Sequence, residues 1–346
     1  MSDRPTLRTV AAKAGVSHQT VSRVVNGDPT VTDGVRDKVL SAMRVLDYRP
    51  SAGARALASG RTEVVGVVLP YNPGFAFSND HLIRLVGGAD QELAARGYGL
   101  LLSTPEVPDD AASAHRRFTR RRQVDGLLVE AGAGGEALPA LQSAGYPTVV
   151  IGYTDEDIYR VHPDDEGGAY AVTQHLLALG HRRIGVVNGP VENRLAMAAR
   201  LRGLRRAFAD ARRTTPDGLM EHGDFTAASG YAAAGRLMAR PEPPTAIFAF
   251  NDSMAFGAMR WLREHGRALP ADVSVAGFDD TTAAELVDPA LTSVSLHSTD
   301  VGRRAARILL DVLDGRPPAQ RENVTPSTLE VRASTAPPPQ DELIRT

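Results

Sequence analysis

The chain has 346 residues, which is enough for two or three compact units that each have a core of their own. It contains no cysteine, and this excludes a disulfide framework, a thiol nucleophile and thiolate metal ligands. No stretch approaches the roughly 20 consecutive apolar residues that span a bilayer, and the charged N-terminus lacks the apolar run of a secretory signal. We therefore expect a soluble cytoplasmic protein with no membrane partner.

The net charge of −2 is unevenly distributed along the chain. Residues 1–60 contain nine Lys and Arg against five Asp, so this segment carries +4 and the remainder carries −6. A basic amino-terminal segment on an acidic body predicts a polyanionic partner that binds at one end of the chain only.

Residues 17–27 have the pattern of a helix with two unlike faces. One face is apolar and consists of Val21, Val24 and Val25. The opposite face can hydrogen-bond throughout and consists of His18, Gln19, Ser22, Arg23 and Asn26. Ser17 is a suitable N-cap and Gly27 a suitable stop. A polar face of this composition is suited to base edges and phosphates.

Two further predicted helices complete a small helical unit. A helix over 7–14, capped by Thr6, leads through a tight turn at Gly15 into the polar-faced helix, which is the helix-turn-helix arrangement. A third helix is predicted over 33–46. Its apolar positions are Val35, Val39, Leu40, Met43 and Leu46. We therefore predict a DNA-binding head over 1–49, and the alternative is the corner of an ordinary helical bundle.

Residues 50–61 are rich in small side chains and contain a segment bounded by Pro50 and Gly60. At most about two helical turns fit there, and isolated helices of that length are marginal in water. We expect a hinge that is disordered alone and folds when something stabilises it. Leu57 is its one large apolar side chain. A plain flexible linker is the alternative.

From Val64 onward, short apolar runs alternate with helical patterns, as in α/β proteins with doubly wound parallel sheets. Strands are predicted over 64–69, 98–102, 126–129, 148–151, 184–187, 246–250 and 273–276. Helices are predicted over 81–96, 110–122, 137–144, 168–179, 198–210 and 228–238. The run over 64–335 is too long for one sheet, so we predict two lobes. Ligand sites of such folds lie at the carboxyl ends of the strands.

A set of motifs in a fixed order resembles the LacI/GalR-type (lactose-repressor) family of bacterial transcriptional regulators. The motifs are Ala14-Gly15-Val16-Ser17, Thr20-Val21-Ser22-Arg23-Val24-Val25-Asn26, Tyr48-Arg49-Pro50, Val124-Asp125-Gly126-Leu127, Asn251-Asp252, Gly277-Phe278-Asp279-Asp280, Pro289-Ala290-Leu291-Thr292 and Arg332-Ala333-Ser334-Thr335. The resemblance covers nearly the whole chain, and its motifs are specific as a set.

The resemblance implies a three-helix head, a hinge helix and a body like a periplasmic sugar-binding protein. The effector-binding and dimerisation domain would span 62–335. Its first lobe would contain 62–160 and 293–320, its second lobe 161–292 and 321–335, and 336–346 would be a disordered tail. The resemblance also implies a homodimer that binds a pseudo-palindromic operator in double-stranded DNA, because two-fold protein symmetry matches paired half-sites.

The resemblance also assigns roles at the DNA end. His18, Gln19 and Arg23 match base-reading positions, and Gln and Arg can pair with adenine and guanine in bidentate fashion. Phosphate contacts are expected of Thr6, Ser17, Thr20 and Asn26. Leu57 matches a wedge that enters the minor groove between central base pairs. The alternative for Leu57 is a linker side chain that packs on the body.

At the effector end, the resemblance assigns a ring-stacking role to Phe225 and a polar clamp to Arg200. Asn251 and Asp279 match residues that bond ligand hydroxyls or amines. The other lobe would contribute Asn72 and Phe75. After the strand over 148–151, where many relatives have an aspartate, this sequence has Gly152-Tyr153, and Tyr153 would substitute by stacking on the ligand. These side chains predict a polyhydroxylated effector, such as a sugar or sugar derivative. As alternatives, Asp279 caps a helix, Phe225 is core and Arg200 is a surface residue.

Two rival functions are open to this sequence. Gly132-Ala133-Gly134-Gly135-Glu136-Ala137, with Asp155 about 20 residues on, mimics a dinucleotide fingerprint and would suit an NAD(P)-dependent oxidoreductase. It begins far from a first βα turn, however, and has no catalytic His or Lys nearby. A sugar-binding protein without DNA function shares the body but not the head. We therefore predict a repressor under allosteric ligand control, with no catalytic residue, cofactor or metal.

Overall fold

A computed structural model describes residues 5–25, 27–48, 60–105, 115–116, 118, 123–131, 138–190, 194–215 and 217–339. The chain divides into two compact units. A small amino-terminal unit comprises Met1–Val64 with Arg122–Asp125, and a larger unit comprises Val65–Arg121 with Gly126–Thr346. In the described part of the chain, no helix is both long enough and apolar enough to cross a membrane.

The small unit contains the three predicted helices. They are α1 (Leu7–Ala14), α2 (His18–Val25) and α3 (Asp33–Val45). The buried side chains of this unit are Val10, Ala11, Val21, Val24, Val39 and Ala42. The apolar stripe of α2 therefore faces the core as predicted. On α3, Leu40 was expected in the core but is 41% exposed, and Ala42 is buried there instead.

Local chemistry defines the ends of α1 and α2. Thr6 caps α1 by accepting a hydrogen bond from the Thr9 backbone N–H at 3.3 Å, and Gly15 ends this helix with a φ of +68°. The Ser17 hydroxyl accepts from the Thr20 N–H at 3.1 Å at the start of α2. The predicted helix-turn-helix arrangement is confirmed.

The large unit contains two sheets, each with six strands among the described residues. In spatial order, the first sheet is β11 (Glu322–Thr325), β5 (Tyr159–Pro163), β4 (Thr148–Ile151), β3 (Gly126–Glu130), β1 (Val64–Val68) and β2 (Gly99–Ser103). The second is β12 (Thr328–Glu330), β10 (Thr292–Ser295), β9 (Ser274–Asp279), β8 (Ala246–Ala249), β6 (Ile184–Asn188) and β7 (Met220–His222). Among the strand pairs whose register the structure gives, β10 and β12 are antiparallel and the others are parallel. The two-lobed α/β prediction is confirmed.

Helices connect these strands in chain order. They are α4 (Pro73–Ser78), α5 (Asp80–Ala95), α6 (Leu138–Ser143), α7 (Asp165–Ala178), α8 (Arg194–Asp210), α9 (Ala227–Met238), α10 (Asp252–Glu264), α11 (Thr282–Leu286) and α12 (Ser298–Leu313). Each lobe has its own apolar core, centred on Leu128 and Leu309 in the first and on Phe248 and Phe278 in the second. Two separate cores allow the lobes to move as units.

The carboxy-terminal lobe boundaries differ from the expected ones. We expected 293–320 in the first lobe and 321–335 in the second. However, β10 pairs in register with β9 in the second sheet, and β11 pairs with β5 in the first. The first lobe therefore takes α12 and β11 from this segment, and the second lobe takes β10 and β12. Backbone pairing, which residue composition does not reveal, decides these positions.

The expected start of the disordered tail at Ala336 is wrong. The Ala336 N–H donates to Ser274 Oγ at 3.0 Å, and its carbonyl oxygen lies 2.9 Å from Nε2 of buried His181. Backbone bonds on both sides fix this residue to the second lobe. Residues 340–346, also within the predicted tail, lie outside the described residues.

Candidate functional site

One face of α2 presents the predicted base-reading side chains. Because Val21 and Val24 are buried in the head, His18, Gln19 and Arg23 are exposed. Ser22 is partly buried. Asn26 and Leu57, which we predicted to contact DNA, lie outside the described residues.

The predicted phosphate contacts lie near helix N-termini. Thr6, Ser17 and Thr20 stand at the first turns of α1 and α2, and the Ser17 and Thr20 hydroxyls are 2.9 Å apart. Helix N-termini present free N–H groups that attract phosphate. Arg36 on α3 forms a hydrogen bond within the head, where its Nη2 donates to the carbonyl oxygen of Asp28 at 2.8 Å.

A cavity of about 610 Å³ lies between the two sheets, within the range of roughly 300–1,000 Å³ common for ligand sites. Its walls follow the carboxyl ends of strands from both lobes. Wall residues of the first lobe include Tyr71, Phe75, Asn79, His81, Glu130, Tyr153, Asp155 and Glu156. Those of the second include Asp165, Met197, Arg200, Phe225, Asn251, Asp279 and Leu296. Six of the seven predicted effector residues line this cavity.

Asn72 is the predicted effector residue that does not line the cavity. Its side-chain oxygen accepts from the Phe75 N–H at 2.9 Å and caps α4. Phe75 on this short helix and Tyr71 just before it both line the cavity, with their ring centroids 5.1 Å apart. Asn72 therefore acts on the site through the helix that it caps.

Arg200 is a buried clamp on α8. Its Nε donates to Asp165 Oδ1 at 2.7 Å, and its Nη1 donates to the carbonyl oxygen of Phe250. The guanidinium carbon lies 3.9 Å from the ring centroid of Phe278. The alternative interpretation of Arg200 as a surface residue is wrong, because its side chain is 8% exposed.

Phe225 and Asn251 are held together at the cavity wall. The Asn251 Nδ2 donates to the Phe225 carbonyl oxygen at 3.1 Å, and its Oδ1 accepts from the Met254 N–H at 2.8 Å to cap α10. Gly189 makes room for the ring, since a Cβ there would lie 2.6 Å from Phe225 Cε1. Phe225 thus packs on the core and also lines the cavity.

Asp279 ends β9 with its carboxyl group in the cavity wall. Burial is the main cause of a pKa raised well above the ordinary value, and the Arg200 guanidinium opposes this rise. The residue before α11 is Thr281, so the alternative interpretation of Asp279 as the cap of that helix is wrong. Asp279 therefore stays a predicted contact for ligand polar groups.

Tyr153 follows β4 and lines the cavity from the first lobe. Its ring stacks on His162 with centroids 4.0 Å apart, and its hydroxyl donates to the Pro163 carbonyl oxygen at 3.1 Å. Burial raises the pKa of this phenol. An aromatic side chain held on both sides by its own lobe therefore lines the cavity at this position.

Sequence reasoning missed Asn79, His81 and Asp165 as wall residues. His81 Nδ1 lies 2.7 Å from Ser298 Oγ, and burial, with a smaller effect of Arg200, lowers the pKa of His81 to about 4. Its imidazole is thus neutral at pH 7. The sequence feature that could have indicated Asn79 and His81 is the long connection between β1 and α5, which brings the start of α5 to the cavity.

The described wall residues are rich in carboxylates. They include Glu130, Asp155, Glu156, Asp165 and Asp279, with Arg200 as the one guanidinium among them. A wall of this charge disfavours phosphate and carboxylate ligands. In the described part of the chain, no cluster of His, Asp and Glu could hold a metal ion. The glycine-rich 132–137 lies outside the described residues.

Comparisons with known proteins agree with both units. Residues 6–51 match the model described as bacterial regulatory proteins, lacI family, and residues 173–335 match a periplasmic binding protein-like domain. The regulator CelR of Thermobifida fusca is 37% identical over 96% of this chain and 98% of its own length. Catabolite control protein A of Priestia megaterium is 33% identical over 95% of this chain and 99% of its own length.

Two solved structures cover 96% of this chain and all of their own chains. A CelR–cellobiose complex has a TM-score of 0.73 at 35% identity. A lac repressor dimer bound to operator and the anti-inducer ONPF has a TM-score of 0.84 at 28% identity. These likenesses define a ligand-controlled, DNA-binding transcriptional regulator and not an enzyme, which excludes the oxidoreductase alternative. Within that class, the chain belongs to the LacI family of bacterial regulatory proteins.

Proposed function

We propose that this protein is a homodimeric repressor whose operator affinity is controlled by a neutral sugar bound between its lobes. The cavity wall supports this ligand class, because the aromatic side chains of Phe225 and Tyr153 line it together with several carboxylates and one buried guanidinium. Sugars present both apolar ring faces and many hydroxyls, and unmet hydrogen bonds in such a site reject ligands that lack them. The cavity volume suits a disaccharide, and cellobiose is the ligand in the CelR complex.

In this proposal, α2 of each protomer enters the major groove. Gln19, Arg23 and His18 read base edges, and Ser22 supports them, whereas Thr6, Ser17, Thr20 and Asn26 position the head on phosphates. The hinge over 50–61 folds on DNA and places Leu57 in the minor groove. We place the protein in the cytoplasm because its partner is chromosomal DNA. The lac repressor dimer on operator supports the two-fold arrangement.

The ligand acts by changing the equilibrium between two lobe arrangements. A sugar that contacts both walls favours one angle between the lobes, and the dimer then favours one arrangement of its two hinges. Ligand and operator must change each other's affinity by the same factor, because both are linked to one equilibrium.

A thermal-shift experiment on the full chain tests the ligand class. We expect cellobiose or another neutral sugar to raise the unfolding temperature, because a ligand that binds only the folded state stabilises it. Glucose 6-phosphate and hypoxanthine serve as charged and purine comparisons. Stabilisation by either of these, with none by neutral sugars, would contradict the proposed ligand class.

Selection of bound duplexes from a pool of random sequence tests the proposed recognition of DNA bases. We expect the full chain to enrich sequences with two-fold symmetry. Arg23→Ala should then relax the preference at one position of each half-site at a cost of about 1–3 kcal/mol. Arg8→Ala removes a positive charge from an exposed position on α1 and should weaken all sequences alike. Enrichment of no common sequence would contradict the proposal.

A further inference from the structure

Asp279 lies in a turn whose conformation is held by hydrogen bonds from other elements of the fold. Asp279 and Asp280 both have positive φ angles, +113° and +52°, which residues other than glycine rarely adopt. Such backbone persists only where neighbouring groups hold it. The position of a cavity carboxylate thus depends on whatever restrains residues 279–282.

Part of this restraint comes from the same lobe. The Asp280 N–H donates to Ser293 Oγ at 3.1 Å, and the Asp280 carboxylate accepts from Arg332 Nη2 at 2.7 Å. The N–H and hydroxyl of Thr281 donate to Oδ2 of buried Asp252 at 2.7 and 2.9 Å. These bonds do not depend on the angle between the lobes.

The rest comes across the cleft from α5 of the first lobe. Arg84 Nη1 donates to the Asp280 carbonyl oxygen at 3.0 Å, and Nη2 donates to Thr282 Oγ1 at 2.8 Å. Asp80 Oδ2 accepts from the Thr282 N–H at 3.0 Å and pairs with Arg84 Nε at 3.0 Å. We call Asp80, Arg84, Asp280 and Thr282 the inter-lobe clasp.

We propose that Asp80 and Arg84 are positioning residues for effector recognition, which bond the backbone after Asp279 across the cleft and so hold its carboxylate in place only while the lobes are closed. The inference deepens the proposed function and rests on it. Opening the lobes removes the bonds from α5 and leaves the turn to its own lobe. A ligand that needs Asp279 therefore binds the closed arrangement more tightly, which is the differential affinity that a population shift requires.

The clasp differs from a pair that merely adds stability. The side chains of Arg84 and Asp80 are 36% and 35% exposed, and ion pairs of this exposure contribute little to the free energy of unfolding. Loss of the clasp should therefore change the distance between the lobes and the ligand affinity while the unfolding temperature changes little.

A distance measurement between the lobes tests the clasp without any ligand. Because the chain has no cysteine, Gln142→Cys in the first lobe and Glu242→Cys in the second take spin labels specifically. Labelled full chain, diluted with unlabelled chain, then gives only distances within one protomer. We expect one narrow distribution for the parent and a second, longer population for Arg84→Met.

The matched control is Arg260→Met, which removes the arginine of another exposed i,i+4 pair, Arg260–Glu264, that lies within the second lobe. A distance distribution for Arg84→Met that superimposes on that of the control overturns the proposal. A longer population confined to Arg84→Met supports it.

Isothermal titration calorimetry with cellobiose measures how loss of the clasp changes the affinity for the ligand. We expect Arg84→Met to weaken cellobiose binding by about threefold to fivefold. Arg84→Lys should recover part of this loss, and Arg260→Met should change the affinity by less than about twofold. Equal affinities of Arg84→Met and the control overturn the positioning role. Failure of the parent to bind cellobiose or any other neutral sugar contradicts the proposed ligand class, and the distance comparison still decides the clasp.

Discussion

Arg200 Nε lies 2.7 Å from Asp165 Oδ1, and the two side chains are 8% and 2% exposed. This ion pair joins α8 to the first turn of α7 at the wall of the cavity. One buried guanidinium thus orients the polar wall of the site and fixes two helices of the second lobe. Its loss should affect both stability and recognition.

We expect Arg200→Met to lower the free energy of unfolding by about 3–5 kcal/mol, because it leaves the Asp165 carboxylate buried without its partner. Arg202→Met is the matched control on the same helix. Arg202 pairs with Glu166 at 2.9 Å but is 58% exposed, so we expect a change below about 1 kcal/mol. Urea denaturation measures both variants, and similar losses would contradict a structural role for the buried pair.

Gly203 allows α8 to approach α7 closely. A Cβ at this position would lie 2.1 Å from the backbone carbonyl oxygen of Glu166. We expect Gly203→Ala to destabilise the protein by about 1–3 kcal/mol, as overpacking does. Gly87→Ala, on α5, meets no atom within 4 Å and should stabilise by about 0.5–1 kcal/mol through helix propensity. Thermal unfolding should show opposite signs, and a shared sign would refute the packing explanation.

His181 should make the stability depend on pH. Its Nε2 lies 2.9 Å from the Ala336 carbonyl oxygen and its Nδ1 lies 2.9 Å from Thr245 Oγ1, and burial lowers its pKa to about 4 from an ordinary value of 6.5. Below about pH 6.5 the unfolded chain takes up a proton that the folded chain does not. The contribution of neutral His181 to the free energy of unfolding is therefore fully present above pH 6.5, and it is lost as the pH falls toward 4.

We expect His181→Gln to reduce the slope of stability against pH in this window by up to about 1.4 kcal/mol per pH unit. The control is His222→Gln at an exposed position on β7. Urea midpoints between pH 4 and pH 8 measure the slope. A slope that His181→Gln leaves unchanged would show that other groups cause the pH dependence.

Substitution of Leu57 tests the proposed role of the hinge in DNA binding. We expect Leu57→Ala to weaken binding to the selected operator by at least tenfold, which corresponds to about 1.4 kcal/mol, because a smaller side chain cannot wedge open a base step. Sugar binding should stay as in the parent. Leu40→Ala, at an exposed position on α3, is the control. Equal operator affinities of the two variants would rule out the wedge.

The sequence predicted the elements whose patterns are local. The valine spacing in α2, the Thr6 cap and the apolar strands such as Val64–Val68 each follow from a few adjacent residues. These patterns were enough for the helix-turn-helix head and the two-lobed α/β body. The resemblance of the motifs to the LacI family then predicted that Arg200 and Asp279 belong to one ligand site, and both line the cavity.

What the sequence could not predict depends on contacts between distant residues. His81 reaches the cavity because α4 lengthens the β1–α5 connection, and Asn72 was assigned to the wall although it caps that helix. The lobe boundaries near β10 and β11 depend on which strand supplies the next backbone partners. No local pattern encodes such pairings.

We propose that one equilibrium between lobe arrangements links the binding of sugar to the binding of operator. The most direct measurement is the fluorescence anisotropy of a labelled, selected duplex titrated with the full chain at increasing concentrations of the sugar that raises its unfolding temperature, at constant salt. We predict that saturating sugar changes the operator Kd, and that operator changes the sugar Kd by the same factor. An operator Kd that stays constant while the sugar is bound would contradict the account.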